Sequence, residues 1–178
     1  MNDTTTLTRE RQDLLESLAA HRGFLVKTAD GLTDEQARTC STVSALSVGG
    51  LIKHVAAVEA SWASFMTTGV QTGVPDDVDW TNPPPEMMKA YEDGFRLVAG
   101  ETLVSVLVEY ERVAAVTDEL VAAVDLDRAF PLPPAPWFTP GADRSVRGVI
   151  LHIVAETAQH AGHADIIREA IDGAKTMG

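Results

Sequence analysis

The chain has 178 residues, 45% of them apolar and 22% charged, with 14 Lys plus Arg against 26 Asp plus Glu and a formal charge of -12 at pH 7. At this length and with a mean hydropathy near zero, one domain over residues 1–178 is expected, able to bury roughly 70% of its unfolded surface without disulfides. The acidity excludes a phosphate-backbone binder, which needs a basic face, and disfavours anionic membrane surfaces.

Residues 1–10 are polar and threonine-rich, without the basic and apolar regions of a secretory signal. No 18-residue apolar run predicts a membrane span, so a cytoplasmic protein is expected. The single cysteine, Cys40, can form neither an intramolecular disulfide nor a cysteine-based zinc site.

From residue 7 to about residue 29, apolar side chains recur at Leu7, Leu14, Leu15, Leu18, Leu25 and Val26 with helical spacing. Thr6 or Thr8 can cap this helix, and Gly31 ends it. Thr33 caps a short helical turn over 32–36. A serine-containing loop with Cys40 then leads to a second long helix over about 48–66, striped by Leu51, Val55, Val58, Trp62 and Phe65. Residues 69–85 read as a Gly-, Pro- and Asp-rich connection around Trp80. A short helical segment over 86–98 precedes a third long helix over 102–124.

Residues 130–141 contain five prolines with Trp137 and Phe138, a stretch that can be neither helix nor central strand. Ser145 caps the last long helix, which runs to about residue 171 and stops at Gly173. No strand pair and no repeat is expected. Four long helices with long connections predict an all-α four-helix bundle.

The chemistry concentrates on the last helix. At about 100° per residue, His152, Glu156, His160 and His163 share a sector of about 80° beside the apolar stripe of Val146, Val149, Ile153 and Ile167. A carboxylate next to the core needs a partner or a metal, because burying it unpaired costs several kcal/mol or more. Glu156 and His160, one turn apart, can converge on one ion, and His54 lies on an inward sector of the second helix. On spacing alone, a hydrogen-bonded core histidine and an exposed helix flank explain these residues equally well. His21 reads as a solvated helix residue. The pattern lacks the repeated Glu and His pairs of a di-iron bundle. Cys40 has no adjacent histidine, and Gly49 and Gly50 follow no strand, which leaves thiol catalysis and a phosphate-cradling loop unsupported.

The segment 47–62, with His54 eight residues before Trp62, and the segment 151–173, LHIVAETAQHAGHADIIREAIDG, resemble the DinB/YfiT-like metalloprotein superfamily. They are most similar to its actinobacterial branch related to mycothiol-dependent maleylpyruvate isomerase. The resemblance implies a DinB/YfiT-like four-helix bundle with a divalent metal, zinc or nickel, on His54, Glu156 and His160. Many members carry a histidine where this chain has Glu156, and the glutamate follows the mycothiol branch. His152, His163 and Asp165 are implied as supporting residues. The implied activity is a thiol-dependent transferase, isomerase or hydrolase that uses a low-molecular-weight thiol from outside the chain. Trp137 and Phe138 either wall the pocket or anchor the loop. As partners the reading gives a small-molecule substrate, leaves a homodimer open, and expects neither nucleic acid nor membrane. A non-catalytic bundle with a structural or regulatory site is the alternative.

Overall fold

The computed structural model describes residues 7–72 and 78–176. Thr6 and the middle of the 69–85 connection lie outside them. The long helices are α1 (Arg9–Lys27), α3 (Val48–Thr68), α5 (Leu103–Ala123) and α6 (Val146–Asp172), with short α2 (Asp34–Arg38) and α4 (Pro85–Gly94) between them. Each long helix starts at a hydroxyl that accepts an otherwise unpaired backbone N–H. Thr8 accepts from Arg11, Ser47 from Gly50, Thr102 from Ser105 and Ser145 from Gly148. Gly69 and Gly173 end α3 and α6 in the left-handed conformation, at φ 76° and 79°.

Cross-helix contacts give the directions. Arg147 bonds Glu10 near the start of α1, while Arg168 bonds the Thr28 carbonyl just past its end, so α1 and α6 run parallel. Arg11 reaches the carbonyls of Val121 and Val124, which makes α5 antiparallel to α1. His54 meets Glu156 and Trp62 meets His152, so α3 is antiparallel to α6. Helices α3 and α5, consecutive among the long ones, therefore point the same way. Their connection must travel the length of the bundle, which is why residues 69–102 form the long crossover that carries α4.

The structure corrects the sequence reading in two elements. Residues β1 (Ala129–Pro131) and β2 (Asp143–Ser145) form an antiparallel ribbon with Phe130 opposite Arg144. Three-residue strands are too short to display a two-residue hydrophobic period, so the prolines between them masked the pairing. The predicted helix over 86–98 also stops earlier, at Gly94, where the Phe95 N–H closes the last turn on Glu92.

The core is divided. One apolar cluster gathers Leu25, Leu51, Ile52, Val55, Leu103 and Ile167; the other gathers Leu18, Trp62, Phe65, Val121, Ile150 and Ile153. Between them lies a polar layer. Arg22, 7% exposed, donates from Nε to Glu59 Oε2 at 3.2 Å and from Nη2 to Oε1 at 2.5 Å, and Glu59 is 1% exposed. Nη1 of Arg22 donates to Asp118 at 2.8 Å. Burial opposes the Arg22 cation, but Glu59 and Asp118 outweigh it and hold its pKa above the ordinary value. Glu59 follows Val55 by one turn on the inward stripe of α3, a signal legible in the sequence.

Gly49 and Gly50 serve packing. A Cβ on Gly50 would stand 1.9 Å from the Phe95 carbonyl oxygen, so only glycine lets the crossover press against the first turn of α3.

Truncating one member of the buried pair, as in Glu59→Ala, is expected to lower stability in urea denaturation by about 3–5 kcal/mol, because the other charge is left buried and unpaired. The double change Arg22→Met with Glu59→Leu should recover most of that loss. Gly50→Ala is expected to cost about 1–3 kcal/mol in the same assay, the usual range for overpacking.

Candidate metal centre

His54 occupies the second turn of α3, and Glu156 and His160 occupy successive turns in the middle of α6. The antiparallel seam brings them together from positions 102 residues apart in the chain. Nε2 of His54 lies 3.4 Å from Glu156 Oε1, and Nε2 of His160 lies 3.2 Å from the same oxygen. The side chains are 17%, 23% and 12% exposed for His54, Glu156 and His160, so the group is sheltered while one side stays open to solvent. Among the described residues this is the cluster of His, Cys, Asp or Glu whose ligand atoms could hold a metal ion, all of them within 4.8 Å of one another.

The two imidazoles hold the Glu156 carboxyl far below the usual carboxylate range, His160 and His54 by hydrogen bonding, against the opposing effect of burial. The carboxylate is therefore ionised at neutral pH. Two nitrogen donors and one anionic oxygen form a set suited to zinc and its neighbours in the first transition series. Donors at ~2.0–2.1 Å from a tetrahedral ion stand about 3.3–3.4 Å apart. The His54 and His160 separations from Glu156 match that spacing, so the residues present fit a small divalent cation.

The surroundings fix the rings. Phe95, carried by the crossover, stacks on His54 with ring centroids 3.9 Å apart and planes 20° from parallel. His54 meets His160 edge-on at 5.0 Å. Nδ1 of His163 lies 3.5 Å from Nδ1 of His160, on the side away from Glu156, where it can bias which nitrogen of His160 carries the proton. Phe95 has no counterpart in the sequence reading. Its helix-terminal position gave no periodic signal, and only the approach at Gly50 shows why it sits there.

The other named residues are placed differently. His152, one turn before Glu156, packs edge-on against Trp62 at 5.0 Å, and burial followed by the nearby Arg144 cation pushes its pKa down. Asp165 accepts the backbone N–H of Thr176 at 2.7 Å, which ties it to the C-terminal segment rather than to the cluster. Trp137 is 61% exposed and meets Trp80 at 4.5 Å, while Trp80 donates to the Pro134 carbonyl. That pair pins the two long connections to each other. Phe138 packs edge-on against Trp62 at 6.4 Å. His21 is partly exposed beside Phe24, and Cys40 is an exposed free thiol. A separate groove of about 450 Å³ between α1 and α5, lined by Val26, Val104, Leu107 and Val108, is apolar and lies away from the three donors.

Comparison with known proteins gives a family and a fold. No curated protein matches the chain. Among solved structures, the crystal structure of the conserved protein of locus from Enterococcus faecalis superposes with a TM-score of 0.65. The match covers 92% of this chain and 97% of that one at 18% identity, a likeness of fold alone. The family model described as Mycothiol-S-transferase matches residues 13–173. With a bundle of the expected architecture and a His, Glu, His cluster on its α3–α6 seam, the chain belongs to the mycothiol-S-transferase family of the DinB/YfiT-like superfamily.

Proposed function

We propose that His54, Glu156 and His160 bind a divalent metal ion, zinc in the first instance, and that the protein is a thiol S-transferase using a small thiol of the mycothiol type. The observation that carries this reading is the convergence of two Nε2 atoms on a single carboxylate oxygen at the spacing of metal ligands. The family membership supplies the thiol chemistry.

When bound, a divalent cation supplies Lewis acidity that favours the thiolate over the thiol near neutral pH. The protein's own residues do the rest. Glu156 contributes the negative charge that, with two neutral imidazoles, leaves a zinc site near +1, which attracts an anionic sulfur without closing the site. Phe95 and the His160–His163 contact hold both rings in their ligating orientation before anything binds, so little ordering cost remains. The exposed side of the cluster leaves an approach for the thiol and its electrophile. The thiolate sulfur forms a bond to the transferred group as that group's bond to its leaving group breaks; the electron pair departs with the leaving group, and the thiol's proton goes to solvent or to that leaving group.

Protein purified without a chelating column should carry close to one equivalent of metal by elemental analysis, and His160→Ala should carry little. Equal and negligible metal in both would overturn the reading. Adding zinc at about 100 times its Kd to metal-free protein should contribute about 2.7 kcal/mol of stability. For a chain of this size that raises Tm by roughly 5–10 °C, and His54→Ala should lose the shift. In the cobalt-substituted protein, a small thiol should change the visible absorption, whereas a closed, purely structural site would show no change.

A further inference from the structure

Most arginines of the chain are engaged. Arg22, Arg38, Arg147 and Arg168, for example, each bond carboxylates or carbonyls. Among the described residues, the side chains of Arg128 and Arg144 make neither a hydrogen bond nor an ion pair. Arg128 is exposed over Phe130, where water serves it. Arg144 differs: it is half-buried, and its Nη1 is buried with no hydrogen-bond partner. Its guanidinium carbon lies 4.9 Å from the centre of the Trp62 ring and 5.6 Å from that of Phe138. Gly148 makes room for it, since a Cβ there would stand 3.3 Å from Arg144 Cγ.

A buried guanidinium donor without an acceptor is destabilising, and two nearby aromatic rings recover only part of that loss. In a protein of charge -12, an arginine kept from every described carboxylate is a conspicuous expense unless something else supplies the anion. The rings offer the cation π electrons but no hydrogen-bond acceptor, which leaves N–H donors of the kind that grip a carboxylate in two-point fashion. His152 stands against the same Trp62 ring and one turn, about 6 Å, before Glu156 on α6. Arg144, His152 and Glu156 thus lie in order along one side of the seam.

We propose that Arg144, with Trp62 and His152 beside it, is a carboxylate-binding arm of the site, which selects a small anionic substrate whose reacting atom reaches the His54, Glu156 and His160 cluster. The assignment of the arm to a substrate rests on the metal reading above; the anion site itself does not. The substrate class is a small carboxylic acid, its carboxylate at least one helical turn from the reacting carbon.

Benzoate and its neutral counterpart benzamide test this, each titrated into metal-free and zinc-loaded protein. The readouts are the Trp62 indole N–H and His152 ring signals in NMR spectra. Benzoate is expected to shift both signals saturably with or without zinc, and benzamide to bind at least tenfold more weakly. Arg144→Gln should weaken benzoate at least tenfold, with Arg144→Lys in between, while both variants take up zinc as the wild type does. Equal binding of benzoate and benzamide to the wild-type protein would overturn the proposal whether or not the variants fold, and so would wild-type benzoate affinity in folded Arg144→Gln. Benzoate selectivity in a protein that binds no zinc would uphold the anion site and remove the metal reading, so the two failures are distinguishable.

Discussion

Midway along the bundle a layer of charge interrupts the apolar core, and the Arg22–Glu59 pair at its centre governs how the helices can be aligned. Either residue could escape burial only by shifting α1 against α3, and any such shift would leave the other unpaired. The pair thereby matches one turn of α1 to one turn of α3. The same level of α6 contributes Glu156 and the buried Thr157, so the functional cluster lies at the edge of the polar layer. A bundle with a continuous apolar core would tolerate sliding by a turn; this one does not, and a metal site needs donors placed to a fraction of an ångström.

Local rules carried the sequence reading a long way because the long helices obey them. Caps at Thr8, Thr33 and Ser145 and the glycine stop at Gly173 follow from unsatisfied backbone groups and positive φ, both of which are written in the residue types. Glu156 and His160 were legible for the same reason: they share a helix, so their spacing is a matter of counting. Their partnership with His54 depended on which face of α3 meets α6, and the apolar stripe on each helix pointed there.

What stayed hidden depends on contacts between elements far apart in the chain. Asp165 lies close to the motif in sequence, yet two and a half turns of helix put it on the face opposite Glu156, and its carboxylate serves the Thr176 backbone instead. Phe95 lies in a connection whose path is set by the parallel α3 and α5, and nothing in its neighbourhood announces that it will stack on a histidine. Arg144 looked like an ordinary charged residue at a helix start until the β1–β2 ribbon placed it over Trp62. The ribbon itself was too short for periodicity to reveal.

The 102-residue separation between His54 and Glu156 has a consequence for how the protein is assembled. Closing so long a loop is entropically costly before the intervening helices are ordered, and the cost grows slowly with length but is never recovered by the two side chains alone. Fragments that end before α6 contain one imidazole of the cluster, His54, and no convergent partner for it. The site is therefore a property of the closed bundle rather than of any segment. It is lost to a chain break anywhere between residues 54 and 160 that lets α3 and α6 part.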